Sequence, residues 1–181
     1  MAVGDTVKGT TPEALRELGE RNIRIVMLTG DNEKTARAIG SQVGIDDVRA
    51  ELLPEEKLAV ITELHDRGPV AMAGDGVNDA PALAKAHIGF AMGAAGTDTA
   101  IETADVALMD DDLRKLPEFI ALSRKTSAVL RQNISFSIAV KLVFFVLSFT
   151  GYASLWLAVF ADMGASLIVV GNGLRLIRSR T

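Results

Sequence analysis

The chain of 181 residues has no cysteine, so disulfides and thiolate metal sites are both excluded within it. The stretch from Met1 to Thr11 has no apolar core, and no signal peptide is expected there. Internal repeats and low-complexity tracts are also missing. Acidic charge is scarce in the second half. Residues 113–181 hold two Asp/Glu against nine Lys/Arg, a net of +7, whereas residues 1–112 hold 21 against 10, a net of −11. With 49% hydrophobic residues overall, this asymmetry describes a water-facing domain followed by a membrane part. The basic residues of the second half are separated by long apolar runs instead of forming a block. A nucleic-acid arm is therefore not expected.

The first half alternates short apolar runs with helical patterns. Ile23 to Leu28 reads as a buried strand ending at Thr29-Gly30-Asp31. Glu33 to Val43 reads as a helix, with Ala36, Ile39 and Val43 on one face and Gly44 as its stop. Pro54 opens a second helix over Glu55–Asp66, ended by Gly68. Val70 to Ala73, Ile88 to Met92 and Val106 to Met109 read as further strands. This rhythm argues an α/β fold, a parallel sheet with helices on its faces.

In the second half, Asp112 to Arg131 carries an amphipathic helical pattern that leads into the apolar run Ile134–Thr150. After Gly151-Tyr152-Ala153 comes a second run, Ser154–Val170, closed by Gly171-Asn172-Gly173 and the cations Arg175, Arg178 and Arg180. Each run is near the lower limit of about 17 residues for a membrane-spanning helix, and flanking residues can extend both. Two long core helices are the alternative, but core helices have a polar face and these runs almost lack one. The positive-inside rule puts both ends of the hairpin in the cytoplasm, since Arg124, Lys125 and Arg131 precede it, the three arginines follow it and the turn is uncharged. Tyr152 and Trp156 then sit at interfacial depth.

Ligands of a parallel sheet gather at the carboxyl ends of its strands. Thr29-Gly30-Asp31 and Gly74-Asp75-Gly76-Val77-Asn78-Asp79 both fall there. Two carboxylates and an amide at a glycine-rich turn suit Mg²⁺, which takes one or two carboxylates together with substrate phosphate. Thr29 offers a hydroxyl and a backbone N–H to a phosphoryl oxygen, and Lys57 offers a cation against the charge of a transferring phosphoryl group.

Met27-Leu28-Thr29-Gly30-Asp31-Asn32, Pro54-Glu55-Glu56-Lys57 and Ala73-Gly74-Asp75-Gly76-Val77-Asn78-Asp79-Ala80-Pro81-Ala82-Leu83 resemble the last three signature elements of the P-type ATPase phosphorylation domain. That domain belongs to the haloacid dehalogenase superfamily. The resemblance implies a haloacid-dehalogenase-like (Rossmann-like) domain over residues 1–112, a linking helix over 113–132, and a transmembrane hairpin with a cytoplasmic tail over 133–181. It also implies that Asp75 coordinates Mg²⁺, with Asn78 and Asp79 organising that site, and that Thr29, Gly30, Asp31 and Lys57 surround the phosphoryl group. ATP is the implied phosphoryl donor. The family's nucleophile, the aspartate of an Asp-Lys-Thr-Gly-Thr motif at the end of an apolar strand, has no counterpart here. Asp5-Thr6-Val7-Lys8-Gly9-Thr10 is preceded only by Ala2 and Val3 as apolar residues. The chain alone is therefore expected not to hydrolyse ATP.

Lys141 and Asp162 are the only charged residues in the two apolar runs. Counted from Tyr152, each lies about 15 Å along its helix, near the middle of a hydrocarbon core about 30 Å thick. Opposite charges at one depth on neighbouring helices can pair, which lowers the cost of burying either. Ala161-Asp162-Met163-Gly164-Ala165 and Gly171-Asn172-Gly173-Leu174-Arg175-Leu176 resemble the final membrane helix of the zinc/cadmium/lead-type pumps. That resemblance implies that Asp162 binds the transported ion and that Lys141 is its counter-charge. It implies an integral protein of the bacterial inner (plasma) membrane that exports Zn²⁺, Cd²⁺ or Pb²⁺, completed by an amino-terminal part. A membrane-anchored phosphatase of the same superfamily and a non-catalytic partner or truncated remnant are the other readings. His65 and His87 read as ordinary surface or packing histidines.

Overall fold

The computed structural model describes residues 8–75, 78–93, 102–110, 112–151 and 154–178. Asp5, Gly76, Val77, Tyr152 and Arg180 lie outside them. The chain divides into two compact units, Met1–Pro117 and Glu118–Thr181.

In the first unit the order is α1 (Thr11–Glu20), β1 (Val26–Leu28), α2 (Glu33–Val43), β2 (Asp47–Arg49), α3 (Pro54–Arg67), β3 (Ala71–Gly74), α4 (Ala80–Lys85), β4 (Ile88–Met92) and β5 (Val106–Leu108). Every strand pairing is parallel. Among the described residues the strands form two pieces, β1-β2 and β3-β4-β5, and β1 is not hydrogen-bonded to β3. Among the described residues each of those two strands therefore keeps one edge without a neighbour.

Local chemistry fixes the helix ends. Asn32 caps α2 by accepting the Thr35 N–H at 3.0 Å, and Gly44, at φ 79°, ends that helix in the left-handed region. Pro54 starts α3, whose Glu56 carboxylate accepts the Leu53 N–H at 2.8 Å. The core gathers Ile61 of α3, Met72 of β3 and Ala82 and Leu83 of α4, with Leu28 of β1 packed against them. Packing is tightest where glycine is required. A Cβ at Gly40 would lie 2.6 Å from Val48, and one at Gly89 would lie 2.8 Å from the Leu83 carbonyl, so α2 and α4 sit directly on β2 and β4.

Asp105 serves the sheet. Its carboxylate accepts the Gly89 N–H at 2.8 Å and joins β4 to the approach of β5. Asp112 is held by the Arg114 guanidinium and backbone N–H, and this hydrogen bonding lowers its pKa to about 2. His65 and His87 stack with ring centroids 3.9 Å apart, and His87 Nδ1 accepts the Val70 N–H at 3.2 Å.

The second unit is a helical hairpin. α5 (Lys115–Phe149) is a single helix that contains both the amphipathic stretch and the first apolar run. α6 (Leu155–Arg178) is the other arm. Gly151, at φ 76°, terminates α5, and Ser154 Oγ accepts the Leu157 N–H to start α6. Most of the hairpin's large apolar side chains, including Phe145, Phe149, Phe160 and Leu167, are exposed. A soluble core helix would bury them; a lipid-facing helix would not. Less exposed positions recur every three or four residues, among them Asn133, Ser137, Val140, Phe144 and Leu147 on α5, and Ala158, Ala161, Ala165, Val169 and Asn172 on α6. This seam of mostly small and apolar residues is where the two arms meet.

Candidate functional site

The carboxyl end of β1 is shaped by Thr29, which is engaged twice. Its hydroxyl donates to Asp31 Oδ2 at 3.0 Å and accepts the Asp31 N–H at 3.1 Å. Its backbone N–H donates to the Arg49 carbonyl at 3.0 Å. The expectation that this N–H faces a phosphoryl oxygen is therefore corrected, because parallel pairing with β2 already uses the donor. The loop after β2 closes over the same turn: Glu51 N–H reaches the Asp31 carbonyl at 2.8 Å and Leu52 N–H the Thr29 carbonyl at 3.0 Å. Glu51 takes a left-handed φ of 57° to do so, a conformation that costs a non-glycine residue about 1 kcal/mol or more.

That loop runs into α3, whose first turn carries Lys57. Lys57 Nζ meets Asp79 Oδ1 at 2.7 Å, with the two side chains 15% and 16% exposed. The amino end of α3 thus touches both loops: Leu52 just before it binds Thr29, and Lys57 binds Asp79. Thr29, Gly30, Asp31, Lys57 and Asp79 are brought to one end of the unit by these bonds. Asp75 follows β3 directly and is exposed, and its carboxylate accepts the Asn78 N–H at 3.4 Å.

Gly74 makes room for this arrangement. A Cβ there would lie 3.0 Å from Asp79 Oδ2 and 3.3 Å from Asp79 Cβ, because Asp79 folds back across the strand end. Gly74→Ala is expected to displace Asp79 from Lys57 and to destabilise the chain by about 1–3 kcal/mol through overpacking. Denaturant titration in detergent measures this, and an unchanged midpoint would refute the close fit.

The donor set fits Mg²⁺. Among the described residues no three acidic or histidine side chains converge into a cage. One or two carboxylates at a turn, completed by phosphate oxygens and water, match the preference of this ion. Asp75 and Asp79 would hold it, and the ion would neutralise charge on phosphoryl oxygens. Asp79 also stays paired with Lys57, so cation and carboxylate fix one another's position.

In the hairpin, Asn133 Nδ2 donates to the Val169 carbonyl at 3.4 Å, and Asn172 Nδ2 donates to Asn133 Oδ1 at 2.8 Å and to Gln132 Oε1 at 3.4 Å. Followed residue for residue along antiparallel helices, these bonds place Lys141 opposite residues 161–164, which include Asp162. The two charges share a level. They do not close an ion pair: both are exposed, one position off the seam beside Val140 and Ala161. The missing salt bridge has a simple cause, since the seam directs Ala161 and Val140 inward and leaves the charged side chains on the outer faces.

A parallel α/β domain with Thr29, Asp31, Lys57 and Asp79 gathered at one end, joined to two membrane-length apolar helices, defines the class as a membrane-linked haloacid-dehalogenase-like protein. Residues 1–87 match the model of the haloacid dehalogenase-like hydrolases. The chain is 50% identical over 180 residues to the cadmium-transporting ATPase of Staphylococcus aureus, covering 98% of this chain and 25% of that protein. It is 47% identical over 180 residues to the zinc/cadmium/lead-transporting P-type ATPase of Escherichia coli (strain K12), covering 99% and 24% respectively. A crystal structure of a zinc-transporting PIB-type ATPase in its E2.Pi state superposes with a TM-score of 0.89 at 46% identity, over 95% of this chain and 28% of that one. The chain belongs to the P-type ATPases, in their heavy-metal-transporting branch. It spans about a quarter of the length of the relatives it matches.

Proposed function

We propose that this chain supplies the phosphoryl-handling loops and the last membrane hairpin of an ATP-driven pump that exports Zn²⁺, Cd²⁺ or Pb²⁺ through an aspartyl-phosphate intermediate. The observation that carries the reading is Asp162, a lone carboxylate within a membrane-length apolar helix and level with Lys141. An ionisable residue at such a place is costly unless it serves the transported species. Carboxylate oxygen is a competent Zn²⁺ ligand, and an ammonium at the same level competes for it and favours release. In this reading Thr29, Gly30 and Lys57 surround the transferred phosphoryl group. The Gly30 N–H takes the donor role that Thr29's own N–H cannot fill. Asp31 orients the Thr29 hydroxyl, and Asp75, Asn78 and Asp79 organise Mg²⁺.

The separation of β1-β2 from β3-β4-β5 supports a place for one more parallel strand between them. A strand that ends in the nucleophilic aspartate fits there, contributed by the part of the pump that also binds ATP. The 181 residues alone are accordingly inactive as an ATPase. The hairpin's flanking cations support cytoplasmic termini in a bacterial inner membrane. Expressed alone, the chain should resist carbonate extraction from membranes and show no ATP turnover above background. Recovery in the soluble fraction, or vigorous hydrolysis by the purified chain, would overturn the reading.

A further inference from the structure

The seam between α5 and α6 is almost uniformly small or apolar, and such a surface does not choose its own register. Ala158, Ala161 and Ala165 on one arm and Val140, Phe144 and Leu147 on the other carry no polar side-chain group that would mark one register. The exception is at the end of the hairpin far from Gly151. There Asn172 gives its amide to Asn133 Oδ1 at 2.8 Å while Asn133 gives its own amide to the Val169 carbonyl at 3.4 Å. Arg175 donates to Asn172 Oδ1 at 3.1 Å, which leaves the Asn172 amide oriented toward α5. Both asparagines are half-buried on the seam.

We infer that Asn133 and Asn172 are positioning residues: their inter-helix amide bond sets the register of the hairpin and so brings Lys141 and Asp162 to one level. This role rests on the reading of Asp162 as the cargo ligand. The physical reason is the one by which a single polar side chain fixes register in a coiled coil. A slip of one turn, about 5.4 Å, takes two half-buried amides away from their partners, and apolar packing gains nothing in return. Asn133 lies eight residues from Lys141 and Asn172 ten from Asp162, so a rigid helix carries the register from the amides to the charges over about 12 and 15 Å. Because the charges sit off the seam and make no ion pair, they do not set the register themselves.

The absence of cysteine makes a direct test clean. Val143→Cys and Phe160→Cys place spin labels on exposed positions one turn or less from Lys141 and Asp162. The full chain is reconstituted in lipid nanodiscs and the label-to-label distance distribution is measured, with helicity checked by circular dichroism. A single narrow distribution is expected. Asn172→Leu and Asn133→Leu are each expected to broaden or split it by about one helical turn, about 5.4 Å. Asn133→Asp keeps the acceptor for Asn172 and is expected to retain the narrow distribution. Asp162→Asn should leave the distance unchanged. An unaltered distribution in both leucine variants, failure of Asn133→Asp to rescue, or a shift on Asp162→Asn would each overturn the assignment. Titration of the same discs with Zn²⁺ alone separates the two readings. Binding that survives Asp162→Asn removes the cargo role and leaves the register result standing.

Discussion

In a full-length pump containing this segment, Asp75→Asn is expected to abolish Mg²⁺-dependent phosphorylation, lowering phosphoenzyme formation by more than about a hundredfold. The substitution preserves shape and removes one negative charge from a site whose other acid, Asp79, is already committed to Lys57 at 2.7 Å. Asparagine can still accept a hydrogen bond from the Asn78 N–H, so the turn itself should persist. What is lost is a hard anionic ligand, and charge stabilisation of this kind is worth about 10²–10³ in rate for a single preorganised group. Phosphoenzyme measured with labelled ATP across a Mg²⁺ series checks this. Normal levels at ordinary Mg²⁺ would remove Asp75 from its role. Raising Mg²⁺ should recover part of the signal if the defect is affinity, whereas displacement of Asp79 from Lys57 would not respond to the ion.

Asp162→Ala in the same full-length pump should reduce zinc-stimulated ATPase to its unstimulated level. Stimulation requires that cargo binding reach the phosphorylation chemistry, and Asp162 is the only acidic side chain in the two apolar runs. Removing it also leaves Lys141 as an unbalanced cation at the same level, which disfavours a divalent cation further. Lys141→Ala tests the converse. Zinc should still bind, but turnover should fall because release loses its competitor. Undiminished zinc stimulation in Asp162→Ala would take Asp162 out of transport.

Much of this was legible from residue order. The β1 and β3 ends announced themselves because short apolar runs stop at Thr-Gly-Asp and Gly-Asp-Gly, and α2 and α3 carry conventional start and stop residues. β2 was not legible. Its three residues, Asp47, Val48 and Arg49, hold one apolar side chain, and only pairing with β1 makes them a strand. The expected strand Ile23–Leu28 begins at Val26, because the Ile23 N–H closes the end of α1 on the Leu18 carbonyl. α1 itself is marked by Pro12 at its start and buried Ala14, Leu15 and Leu18.

The site divides in the same way. Counting residues from a turn gives depth, and it put Lys141 and Asp162 on one level. It does not give the direction in which a side chain leaves the helix, since both arms are apolar on nearly every face. Only the seam, revealed by Asn133 and Asn172, shows that the charges look outward. Likewise the sequence shows that Thr29 has a hydroxyl and an N–H but not that β2 takes the latter.

The two arms of the hairpin meet a lipid environment alike. Their apolar runs, Ile134–Thr150 and Ser154–Val170, have 17 residues each, about 25 Å of helix. Against hydrocarbon about 30 Å deep, both are short. Lipids with shorter acyl chains relieve the mismatch on both, at a fraction of a kcal/mol per ångström. Acyl-chain length therefore acts on this hairpin as a mechanical load that its two arms share.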